Sequence, residues 1–164
     1  MDIVTIFSYL LRKGKWLELT LWDSKAYLHL KDNKIYFSST NEVDKYEVDS
    51  DLALLRAFLA DDIGFSIYEP KKIMLAIPYD YYRELEKHKQ NHFINSLVMK
   101  LEGMGYDVVY LKDTEDCING LIEQIKCMKE CSAVYFPKKW NRSTNTVLLN
   151  LIAENYGIEK IFEK

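Results

Sequence analysis

Three short apolar runs, IMLAIP at 73–78, DVVYL at 107–111 and SAVYF at 132–136, narrow most sharply what this chain can fold into. Each is nearly continuous in apolar residues, the pattern of a strand buried on both faces. Helical patterns separate them, one carrying Leu85, Phe93, Leu97 and Leu101, the next Ile118, Leu121, Ile122, Ile125 and Met128. A third helix carries Val147, Leu148, Leu151 and Ile152 and is read from Ser143 to a stop at Gly157; IEKIF adds a closing strand. Strands alternating with helices require a parallel sheet joined by right-handed crossovers. Residues 71–164 are therefore predicted to form a three-layer parallel α/β domain, Rossmann-like or flavodoxin-like.

The preceding 70 residues follow a different rhythm. Ile3, Ile6, Phe7, Leu10 and Leu11 form a helical stripe that ends at Gly14. WLELTLW alternates like a half-buried strand, and AYLHL and KIYFSS flank Asp32-Asn33, which reads as a hairpin turn. Ser50 or Asp51 is positioned to cap a helix through Leu52, Leu55, Phe58 and Leu59, and GFSIYEP supplies a last strand. The expectation is a small antiparallel α+β unit over 1–70, with the boundary at Glu69-Pro70-Lys71-Lys72, followed by the α/β domain over 71–164.

Composition sets limits on function. With 164 residues, 48% of them hydrophobic, the chain can bury a core in one medium or two small domains. No apolar run approaches the roughly 20 residues a bilayer crossing needs, and the first residues lack a basic leader, so a cytoplasmic chain without a membrane partner is expected. Three cysteines at no zinc-like spacing fit reduced thiols. Residues 1–70 hold 8 Lys/Arg against 12 Asp/Glu and residues 71–164 hold 14 against 13, so neither half is a basic surface for nucleic acid.

In an open parallel sheet the ligand crevice lies beyond the carboxyl ends of the strands. Three loops converge there: Ile77-Pro78-Tyr79-Asp80, Leu111-Lys112-Asp113-Thr114, and the stretch after Phe136. The ligand-binding candidates are Tyr79, Asp80, Asp113, Lys138, Lys139, Trp140, Arg142, Ser143 and Asn145. Ser143 at a helix start exposes amides that favour an anion, and the neighbouring cations add to it. The plainer reading is that Ser143 only caps its helix and the lysines solvate a loop.

KIMLAIPY at 72–79 resembles the opening strand of nucleoside 2-deoxyribosyltransferase-like proteins, and SAVYFPKKWNRSTNTVLLNLIAENYG at 132–157 resembles their later segment. Trp140, Ser143, Ala153 and Gly157 fall in register. The resemblance spans roughly 72–164 and implies the α/β fold. It also implies a lost activity, because Leu149 stands where the family places its nucleophilic glutamate, and leucine cannot attack a sugar carbon. Ile77 and Asn145 replace family glycines and are expected to crowd the pocket. Asp80, Asp113 and Glu154 are the acids available as substitutes.

LLRKGKWLELTLW and FLADDIGFSIYEPKK resemble small phage proteins of the nucleotide-sponge kind that counter Thoeris defence, although Ile63-Gly64-Phe65 stands where a Trp follows the acidic pair. The resemblance implies that Trp16, Trp22, Tyr27 and Tyr36 stack on a base while Arg12, Lys13 and Lys15 hold phosphates. The alternative is that the tryptophans fill the seam between helix and sheet.

His88 and His92 share a helix face without further metal ligands or an HExxH context. The sequence thus leads to a non-catalytic protein with no metal or cofactor. It is expected to bind a nucleotide-derived small molecule, ADP-ribose-like or cyclic, or a host protein, in the manner of an anti-defence sponge. An enzyme acting on N-glycosidic bonds and a protein adaptor are the alternatives, and homo-oligomerisation stays open.

Overall fold

A computed structural model of the chain describes residues 3–21, 24–39, 46–48, 64–113 and 117–164. The expected helix over Leu52 to Leu59 and the candidate Trp22 lie outside these residues. Two compact units result: residues 1–70 with 99–105, and residues 71–98 with 106–164.

In the first unit, helix α1 (Ile3–Arg12) precedes five strands: β1 (Trp16–Leu21), β2 (Ser24–Lys31), β3 (Lys34–Ser39), β4 (Tyr46–Val48) and β5 (Gly64–Tyr68). They form one antiparallel sheet in the order β4-β3-β2-β1-β5. Alternation places Leu17 and Leu19 on the inner face, where Phe7 and Leu11 of α1 join Ala26, Leu28 and Phe37 in one core. Asp32 and Asn33 both adopt positive φ, 50° and 60°, the backbone of a type I′ turn.

The second unit contains β6 (Lys71–Leu75), a single helical turn α2 (Tyr79–Tyr82), α3 (Lys87–Gly103, whose last residues group with the first unit), and β7 (Tyr106–Val109). Then come α4 (Cys117–Lys129), β8 (Ala133–Phe136), a 3-10 turn (Trp140–Arg142), α5 (Thr144–Asn155) and β9 (Glu159–Phe162). The sheet runs β7-β6-β8-β9, all parallel. Counted within the unit this is 2-1-3-4, the flavodoxin-like order, whose switch point lies between β6 and β8. Met74, Ala76, Val134 and Phe136 pack with Met128 of α4 and with Leu149 and Ala153 of α5. The alternate residues Ile73, Leu75 and Tyr135 are buried as well, so both faces of the sheet are covered.

The buried face of α5 differs from the apolar stripe read in the sequence. Thr146, Leu149 and Ala153 are buried, while Leu148 and Leu151 are exposed. This helix is apolar on most sides, so periodicity does not choose a face. The choice falls to fit, with small Ala153 against the sheet and the Thr146 hydroxyl against the carbonyls of Trp140 and Ser143. Gly157 ends the helix at φ 65°: its N–H donates to Glu154 O and that of Ile158 to Ala153 O, the Schellman arrangement. Among the described residues no helix is long and apolar enough to cross a membrane.

Candidate functional site

The loop after β6 and the start of α5 meet over the switch point. The Ser143 hydroxyl, 1% exposed, donates to Asp80 Oδ2 at 3.0 Å and makes no cap to its own helix. The sequence reading assigned the positive end of α5 to a ligand's anion. Here the protein brings its own carboxylate there.

A hollow of about 350 Å³ opens beside this pair. Its wall includes Tyr79, Asp80, Asp113, Ser143 and Asn145 from the expected set. Ile77 and Leu111 give it an apolar side. Ile77 and Asn145 narrow the hollow without closing it, because Ile77 is directed largely into the core, at 2% exposure. The Tyr79 hydroxyl donates to Leu111 O at 2.6 Å, which ties the β6 loop to the β7 loop. Burial raises the Tyr79 pKa well above the usual phenol range, helped by Tyr110 and Asp113, so this donor keeps its proton at any physiological pH. Arg83 grips Asp113 with both arms, at 2.9 and 2.7 Å.

Five residues of this wall were not singled out in the sequence: Arg83, Asn119, Gly120, Glu123 and Gln124. Gln124 is 8% exposed, and its Oε1 has no hydrogen-bond partner among the described residues. A signal for it existed, since a glutamine at 124 interrupts the Leu121, Ile125, Met128 stripe on the buried side of α4. Glu123 pairs along its own helix with Lys126 at 2.8 Å.

The remaining expected residues lie elsewhere. Lys138 and Lys139 are exposed outside the hollow, and the Lys138 N–H donates to Glu163. Trp140 packs on Phe136 and Phe162 with centroids 5.4 Å away in each case, and Arg142 approaches the Tyr81 ring. In the first unit Trp16 is 8% exposed and stacked on His29 at 4.2 Å, so its ring is spent inside that unit rather than offered to a base. Tyr27 is buried, Tyr36 lies against His29, and Lys15 pairs with Glu69.

Leu149 is fully buried in the core beneath α5 and is absent from the hollow's wall. The sequence reading made this position decisive for chemistry; in the structure its side chain belongs to the core and not to the hollow. Acids enter the hollow from other elements, with Asp80 on α2 and Glu123 on α4. Glu154, the third acid considered, is exposed and pairs with Lys160 at 3.2 Å.

No protein-family model, no curated protein and no solved structure matches this chain. The likeness to deoxyribosyltransferase-like proteins and to nucleotide sponges rests on the short motifs alone.

Proposed function

We propose that the second unit binds a nucleotide-derived small molecule, with its nucleoside part in the hollow over the switch point. The observation that carries this reading is Asp80, a carboxylate oriented by the Ser143 hydroxyl in the wall of an open hollow. Carboxylates of this kind accept hydrogen bonds from sugar hydroxyls. Leu111 offers apolar contact to a planar ring, and the Gln124 oxygen, without a partner among the described residues, suits an N–H donor. The volume falls in the range of small-molecule sites, roughly 300–1,000 Å³. A sequestering role against a host signal follows from the likeness to sponge proteins and belongs to the same proposal. Calorimetric titration with adenosine and ADP-ribose tests it: saturable binding by the native chain and its loss in Asp80→Asn are expected. Absence of binding to either ligand would refute the reading.

The position of Asp80 also favours a second reading, cleavage at an N-glycosidic bond. A carboxylate oxygen would attack the anomeric carbon as the bond to the base breaks and the base leaves with the electron pair. Chromatography of nucleosides or NAD after incubation would then reveal free base, released by the native chain and not by Asp80→Asn. Recovery of intact ligand leaves binding as the function.

A further inference from the structure

A second, larger hollow of about 1,110 Å³ adjoins the first, and the two share Tyr79, Arg83, Lys112 and Asp113. Their charges differ. The first sets Asp80, Asp113 and Glu123 against Arg83 and Lys112, while the second sets Arg83, Lys87 and Lys112 against Asp113 alone. Lys87 and Lys112 have no carboxylate within ion-pair distance among the described residues. Asn91 and Asn95 of α3 add amide donors to the same wall. A molecule lying across the shared residues would therefore meet Asp80 and Glu123 at one end, Lys112 in the middle and Lys87 at the other end.

From this division we infer that the second hollow is an anion subsite that takes a phosphate or pyrophosphate arm. The inference builds on the nucleotide reading above and moves the phosphate contact away from the Lys138-Lys139 loop, which lines neither hollow. Lysine ammoniums act there as point charges, and amide side chains orient the oxygens. The contact weakens as salt screens it.

Inorganic pyrophosphate is the direct probe, titrated into the full chain at low salt alongside adenosine. The native chain is expected to bind pyrophosphate. The double substitution Lys87→Ala with Lys112→Ala should weaken that binding by about tenfold or more, the loss of charged hydrogen bonds. Lys138→Ala with Lys139→Ala should leave it unchanged. Absence of pyrophosphate binding, or a loss confined to the Lys138-Lys139 pair, overturns the inference. Adenosine separates the two readings: failure of adenosine alone removes the nucleoside site and leaves the anion subsite standing, while failure of pyrophosphate alone does the reverse. The four lysines are exposed, so unchanged melting midpoints are expected and confirm that the variants fold.

Discussion

Ser143 and Asp80, 63 residues apart in sequence, are joined by a 3.0 Å hydrogen bond at the point where the strand order of the parallel sheet reverses. The bond fixes a carboxylate where open α/β sheets bind their ligands. Ser143→Ala should lower stability by only about 1 kcal/mol, because Asp80 is exposed and water replaces the lost donor. Its larger effect is expected on ligand affinity, through a carboxylate no longer oriented. Urea titration and calorimetry on the one variant measure both; equal losses in the two would contradict a positioning role.

Leu149 gives the sharpest contrast between resemblance and structure. Fully buried among Met74, Phe136 and Ala153, it should cost about 2–5 kcal/mol when cut to alanine. Leu149→Glu, which restores the family's acid, should destabilise at least as much by burying an unpaired charge, and should yield no glycosidic activity. Denaturant midpoints and a nucleoside cleavage assay check this. A stable, active Leu149→Glu chain would show that the side chain faces the hollow.

Two glycines with similar backbones should respond differently to alanine. Gly105, at φ 86°, would place a methyl 2.8 Å from both the Tyr27 ring and the Tyr68 hydroxyl, whereas Gly157, at φ 65°, has nothing within 4 Å. Gly157→Ala should therefore cost about 1–2 kcal/mol for its left-handed backbone alone. Gly105→Ala should lose that and a further 1–3 kcal/mol or so to overpacking. Melting curves of the two variants make the comparison, which equal shifts would contradict.

Alkaline pH should destabilise the protein. Burial pushes the Cys131 thiol from its ordinary 9.0 up to about 12, with Cys127 beside it adding to the effect. Burial also pushes Tyr82 from 10.0 up to about 12. Both groups keep their protons in the fold and lose them earlier in the unfolded chain. Their contribution is thus intact below about pH 9 and is lost as pH rises toward 12. Urea midpoints at about pH 8 and pH 10.5 should fall in the native chain. The fall should be shallower in Cys131→Ala, whatever that variant's stability at pH 8. An unchanged slope would mean that Cys131 is not protonated by burial.

Sequence patterning made the parallel sheet legible, because runs such as IMLAIP cannot be satisfied with one face in water. The hairpin at Asp32-Asn33 was legible from turn chemistry, as the positive φ values there bear out. Five of the expected ligand residues were brought to one hollow by topology, since each follows a strand end or begins a helix there. The face of α5 was not legible. A helix reading TNTVLLNLIA offers apolar residues all round, and its orientation depends on the Thr146 hydroxyl and on the small Ala153, which periodicity does not weigh. Glu123 and Gln124 escaped notice because they reach the hollow from a helix whose rotation only packing fixes, and Arg83 because it stands in the turn after α2.

In the proposed function the hollow beside Asp80 and Ser143 receives the nucleoside part of a small molecule. Backbone amide NMR shifts on titration with ADP-ribose test it most directly, because they report where the ligand lies as well as whether it binds. The expected result is saturable movement of Ile77, Tyr79 to Arg83, Leu111 to Asp113, Asn119 to Gln124 and Ser143 to Asn145, with Trp16 and His29 unmoved. Unchanged spectra, or movement confined to the first unit, would contradict the account.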